Sequence, residues 1–254
     1  MKFPVTAALL LTSAVLLFFS CPHPDDPPSP SPSPDPSLYL MPADVEAQLF
    51  TFAASYPDIA RLRIIGYSSG PAAYPLYALK ITDNPDSQEN EPEVQFTGAI
   101  HGNEQLSAHI VLLFMEDLLS GYTDGQADAV TLVNSTELHF MPVLNPAGLA
   151  AGTRYNPNNI DLNRNFSWAW DNTSVSGDSP FDQPESQAIR DDALTRRYTL
   201  AINGHTGEAC FNYPWDYIPT KTDPDNPYDD PDYTLDYFVA NYLPAYYFIN
   251  TEAD

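Results

Sequence analysis

Basic side chains are scarce in this chain. Lys and Arg together number 10 in 254 residues, against 34 Asp and Glu, for a formal charge of −24. Phosphate backbones are bound by Lys and Arg, so nucleic acid is excluded as a partner. An acidic surface attracts basic peptides or cations, or it simply keeps a protein soluble, and solubility is the default. Cysteine is nearly absent, with Cys21 and Cys210 alone. If Cys21 is modified, Cys210 has no partner and no intrachain disulfide forms, and Cys210 reads as a small buried hydrophobe. The apolar run from Ala7 to Phe19 is too short for a comfortable membrane span. No internal repeat is present.

What the N-terminus does have is a positive start, Met1-Lys2, ahead of that apolar run, which together read as a signal peptide over residues 1–20. The run ends in Phe18-Phe19-Ser20-Cys21, and a small residue before Cys resembles a bacterial lipoprotein cleavage site with Cys21 as the lipidated residue. Ordinary secretion and a short uncleaved anchor are the other two readings. Residues 21–37 are rich in Pro, Ser and Asp and form an extended tether with nothing apolar to bury. The expected location is outside the cytoplasm, either as a membrane-anchored lipoprotein of the bacterial cell envelope or secreted, and membrane contact is through the lipid alone.

Residues 38–254 are long enough for one α/β domain. Pro42-Ala43-Asp44 starts a helix with Val45, Leu49, Phe52 and Ala53 on one face. Arg61–Tyr67 and Tyr74–Ile81 read as a hairpin, and Val94–Ile100 as a strand. Leu106, Ile110, Leu113, Phe114 and Leu118 recur at helical spacing. Glu137–Val143 is a strand, Asn145-Pro146-Ala147-Gly148 a turn, Pro184–Ala193 a helix and Tyr198–Asn203 a strand. Asp223–Asp232 is an acidic loop that lacks the central Gly of a calcium loop, and Tyr233–Tyr242 has helical character. Alternating strands and helices predict an α/β fold with a mixed, mostly parallel central sheet and helices on both faces.

His101 and Glu104 stand three apart where a strand gives way to a helix. Neutral imidazole and carboxylate both suit zinc, although this pair alone is a weak signal. Further on come Gly152-Thr153-Arg154, Ile160-Asp161-Leu162-Asn163-Arg164-Asn165-Phe166, Asn203-Gly204-His205 and Tyr213-Pro214-Trp215-Asp216. His23, His109 and His139 have no motif partner and read as structural or solvated.

In this order the motifs resemble the zinc metallocarboxypeptidase family, in the branch of carboxypeptidases N, E and D. The resemblance implies that His101, Glu104 and His205 bind one zinc ion per chain. Two imidazoles and a carboxylate leave a fourth position for water, the catalytic pattern, for which a relative in this family is a standard example. It further implies that Arg154 stabilises the oxyanion, that Asn163 and Arg164 grip the substrate's terminal carboxylate, and that Tyr213 lines the groove. Tyr213 is equally a core residue by type. The expected partners are peptide or protein C-termini, and the expected state is a monomer.

The same resemblance places the family's general-base Glu, with the late strand and final helix, beyond the segment matching Phe248–Asp254. The chain is thus expected to lack its C-terminal strand and helix and to be inactive alone. Two other functions stay open: a non-catalytic, surface-tethered module that binds peptide C-termini, and a peptidase acting on cell-wall peptides.

Overall fold

The computed structural model describes residues 40–167 and 170–207. The readings of Cys21, Cys210, Tyr213, the tether, the acidic loop and the helix at Tyr233–Tyr242 lie outside them.

Helix α1 spans Pro42–Ser55, with Pro at its start, Asp44 in its first turn, and Val45 and Leu49 buried. Strands β1 (Ala60–Tyr67) and β2 (Pro75–Ile81) form the expected antiparallel hairpin. β3 spans Glu93–Thr97, α2 Gln105–Thr123, α3 Ala127–Val133, β4 Glu137–Met141, α4 Pro146–Ala151, α5 Pro184–Leu194 and β5 Tyr198–Asn203. The five strands make one mixed sheet in the order β1-β2-β4-β3-β5. β2 and β4 run antiparallel, whereas β3 is parallel to both β4 and β5. Helices cover both faces. The larger core joins α1, α2 and α3 to the side of the sheet that carries Leu79, Leu138, Phe96 and Phe140. On the other side Ile189 of α5 meets Ala78, Met141 and Ile65. None of the described helices is long and apolar enough to cross a membrane.

Two expectations are corrected. Residues 145–148 are not merely a turn. Asn145 caps α4 by accepting a 2.9 Å bond from Gly148 N, and Pro146 stands at the first helical position, where its missing N–H costs nothing. The face of α2 also differs from the one read in the sequence. Ala108, Val111, Leu112, Met115 and Leu119 point inward, whereas Leu106, Ile110 and Leu113 are more than half exposed. This helix is apolar nearly all round, so periodicity located the helix but not its inner face. Phe114 does pack inward, edge-on to both Phe96 and Phe140.

At the end of the sheet where β3 and β4 begin, a polar cluster is buried. Glu93, Glu137, His139 and Lys80 are all under a tenth exposed. Lys80 Nζ lies 2.9 Å from Glu137 Oε2, and Arg63 pairs with buried Asp192 of α5. His139 Nε2 stands 3.6 Å from Glu93 Oε2 and 3.7 Å from Glu137 Oε2. Burial pushes the His139 imidazole down to about 3, helped by the positive charges of Arg196, Arg63 and Lys80 and opposed by Asp192.

Two outcomes are expected. In urea unfolding, Leu112→Ala should cost about 2–5 kcal/mol, because its side chain is buried. Leu113→Ala, on the exposed flank of the same helix, should stay within about 0.5 kcal/mol of wild type. The second outcome concerns pH. Because His139 is neutral in the fold and takes a proton readily when unfolded, its contribution is full above about pH 6.5 and is lost progressively toward pH 3. The slope is up to about 1.4 kcal/mol per pH unit. His139→Gln should flatten this part of the stability profile.

Candidate metal centre and its relatives

The chain after β3 continues along β4 through Gly98 and then turns sharply. Gly98 N donates to Met141 O and Asn145 N donates to Ala99 O. Ala99 itself takes a φ of 42°, a region that non-glycine residues rarely adopt. The turn is held by Ser107 Oγ, which accepts from Ala99 N at 2.9 Å and donates to Glu104 O at 2.7 Å. Gly102 is pressed on the backbone of α4, where a Cβ would meet Gly148 C at 2.0 Å. These constraints put buried His101 beside Glu104, the residue that precedes the first turn of α2. A carboxylate at a helix N-terminus is favoured by the helix dipole.

β5 brings in the third residue. His205 follows the strand by two positions, and Gly204 N still donates to Thr97 O at 2.8 Å. The Nδ1 atoms of the two histidines then face the two oxygens of one carboxylate. His101 Nδ1 is 2.8 Å from Glu104 Oε1, and His205 Nδ1 is 2.9 Å from Glu104 Oε2. Their rings stand 4.9 Å apart. Burial opposes ionisation of Glu104. The charge of His101, hydrogen bonds from both imidazoles and the Thr206 amide outweigh it and hold the carboxyl below its usual range.

Asp161 completes the centre, and motif reasoning gave it no role. Its Oδ1 lies 3.0 Å from His101 Nε2, so with a metal bound Asp161 would accept the Nε2 proton and leave the Nδ1 lone pair for the ion. Its Oδ2 lies 2.9 Å from Arg154 Nε and 2.8 Å from Arg154 Nη2. Burial again opposes ionisation, but the bonds from His101 and Arg154 bring the Asp161 carboxyl down to about 2. The sequence signal was present, since Asp161 lies in the stretch that supplies Asn163 and Arg164. It also caps the short 3₁₀ turn Leu162–Arg164 by accepting from Asn163 N.

Arg154, just past α4, is thereby aimed into the centre. Its Nη1 lies 3.2 Å from His101 Nδ1 and 3.6 Å from Glu104 Oε1. Arg164 is solvent-exposed and Asn163 partly so, on the 3₁₀ turn that Asp161 starts. Both therefore belong to the same loop as the carboxylate that orients His101.

Three groups among the described residues bring ligand-type atoms within 4.8 Å of one another. Asp83, Glu89 and Glu91 lie at least partly open to solvent. Glu93, Glu137 and His139 are buried with the cations Lys80, Arg63 and Arg196 close by, which balance the charge although Glu93 Oε2, Glu137 Oε2 and His139 Nε2 have no hydrogen-bond partner among the described residues. Only at His101, Glu104 and His205 does a carboxylate also fix the tautomer of a ligand imidazole. This donor set, two imidazole nitrogens and one carboxylate, fits zinc.

A family profile described as zinc carboxypeptidase matches residues 45–244. The chain belongs to the zinc carboxypeptidase family. Carboxypeptidase D of Anas platyrhynchos is 37% identical over 185 residues, covering 68% of this chain and 13% of that protein. Carboxypeptidase E of Caenorhabditis elegans is 31% identical over 243 residues, covering 84% of this chain and 49% of the relative. The chain thus spans less than half the length of either. Among solved structures, carboxypeptidase A from Helicoverpa armigera superposes with a TM-score of 0.61 at 23% identity, covering 68% of this chain and 47% of that one. That likeness bears on the fold, and it agrees with the mixed sheet and its two helical layers.

Asp161→Asn should leave the fold intact but disturb the His101 tautomer. Zinc affinity, measured by chelator competition, is expected to fall about 10- to 100-fold.

Proposed function

We propose that this chain carries the zinc centre of an exported carboxypeptidase that releases the C-terminal residue of peptides. The observation that carries the reading is the convergence of His101 Nδ1 and His205 Nδ1 on the Glu104 carboxylate with Arg154 alongside. Membership in the zinc carboxypeptidase family supports it. Bound by these three residues, one zinc ion would supply a Lewis acid and a water whose pKa is lowered to about 7.

The chain's own residues define the rest. Arg154 is held by Asp161, so its guanidinium stands ready beside the metal ligands to take up charge developing on a carbonyl oxygen. Arg164 is exposed and presents a planar fork suited to a substrate's terminal carboxylate, with Asn163 beside it. Tyr213 is assigned to the groove by its motif. Glu104 and Asp161 are both engaged with the histidines, so neither is assigned the general-base work. The proposed setting is a monomer, secreted or held at a bacterial envelope by lipid on Cys21, acting on peptide or protein C-termini.

The test compares a peptide with its C-terminally amidated counterpart. Purified protein should contain about one zinc per chain, lost in His101→Ala. In an enzyme that also carries the expected general-base Glu, turnover should be confined to the free carboxylate and should fall sharply in Arg164→Ala, whereas the chain alone should bind zinc without turnover. Tight binding of the free peptide without cleavage by that enzyme would replace the peptidase by a binding module. Equal cleavage of both peptides would point to an endopeptidase.

A further inference from the structure

The buried polar cluster at the start of β3 and β4 lies at the opposite end of the sheet strands from the zinc ligands, yet it closes on β5. Tyr198 is the first residue of β5, and its hydroxyl donates to Asp192 Oδ2 at 2.6 Å. Asp192 is itself buried and is held by Arg63 of β1 and by Arg196 Nε at 3.5 Å. Arg197 N donates to Glu93 Oε1 at 3.4 Å, and Arg196 Nη1 lies 3.9 Å from Glu93 Oε2. The His139 ring meets the Tyr198 ring edge-on, with centroids 5.4 Å apart. Four elements, β1, β3, β4 and α5, thus hold one end of one strand.

That strand needs such a hold. Among the described residues β5 pairs with β3 alone. Among the described residues nothing covers residues 199–203, Leu200 and Ile202 included, so within this part of the chain packing adds little to the register set by the β3 ladder. The ladder is also irregular at its start. Glu93 pairs with Tyr198 and Val94 with Leu200, which leaves Thr199 as an extra residue. A slip of two residues would keep every side chain on its face while moving His205 by about 6.6 Å. His205 now reaches Glu104 at 2.9 Å, and such a slip would part them.

We propose that the Tyr198–Asp192–Glu93 cluster is a register pin, a set of positioning residues that places His205 in the metal centre by fixing where β5 begins. This rests on the reading of His205 as a zinc ligand. The cluster acts along the strand and touches neither metal nor substrate.

The test uses the full chain with Tyr198→Phe and Asp192→Asn, and with Lys80→Met as a control. Lys80 belongs to the same buried cluster but bonds Glu137 of β4 and does not bond β5. Zinc affinity by chelator competition should fall about tenfold in Tyr198→Phe and Asp192→Asn, the scale seen when residues supporting a metal ligand are changed. Hydrogen exchange at the Gly204 amide, which donates to Thr97 O, should quicken in both. Lys80→Met should lower the unfolding midpoint while leaving zinc affinity within about twofold of wild type. Wild-type affinity in both Tyr198→Phe and Asp192→Asn, or an equal loss in Lys80→Met, would overturn the pin. If the wild-type chain bound no zinc, the metal-centre reading would fail by itself. Gly204 exchange would then decide the pin, and unchanged exchange in both variants would end it.

Discussion

One carboxylate organises this molecule. The two oxygens of Glu104 each meet a different imidazole, one from the loop after β3 and one from the end of β5. Thr206 N adds a third contact to Oε2. A buried acid is stable as an anion only when such partners replace lost hydration. The arrangement of β3, α2 and β5 around a common point is what satisfies Glu104. It also brings three ligand-type side chains together at one point. Folding and metal chemistry therefore depend on the same three side chains.

The sheet topology explains why these pieces meet. β4, β3 and β5 are parallel neighbours, so the segments that leave them emerge at one end. From those ends come His101, the α4 segment that leads to Arg154, and His205. The opposite end of the same strands, where Glu93, Glu137 and Tyr198 stand, is devoted to holding the sheet together. In open sheets with parallel strands, sites collect at the carboxyl ends, and this chain follows that geometry.

Much of this was legible in the sequence, and the gaps have physical causes. His101, Glu104 and His205 were readable because each lies in a short local motif with its own neighbours. The hairpin β1–β2, helix α1 and helix α5 were readable from periodicity and breakers. The function of Asp161 was not, since its bond to His101 spans 60 positions and no spacing rule connects them. The inner face of α2 was misread because Leu106, Ile110 and Leu113 form a stripe as regular as the buried one. His139, read from the sequence as structural or solvated, is buried. Its surroundings were hidden, because Arg63, Glu93, Asp192 and Tyr198 come from four separate parts of the chain.

The contact between Gly102 and Gly148 has an implication for how this site can vary. The two backbones touch where side chains would ordinarily intervene, since a Cβ on Gly102 would sit 2.3 Å from Leu149 N. A Cβ on Gly148 would in turn strike the capping Asn145 amide at 2.5 Å. Enlarging either residue displaces the loop that bears His101 or uncaps the helix that leads to Arg154. Two positions 46 residues apart thus share one steric allowance. The metal-binding loop and the arginine segment are registered against each other by the absence of atoms, before any charge or ligand comes into play.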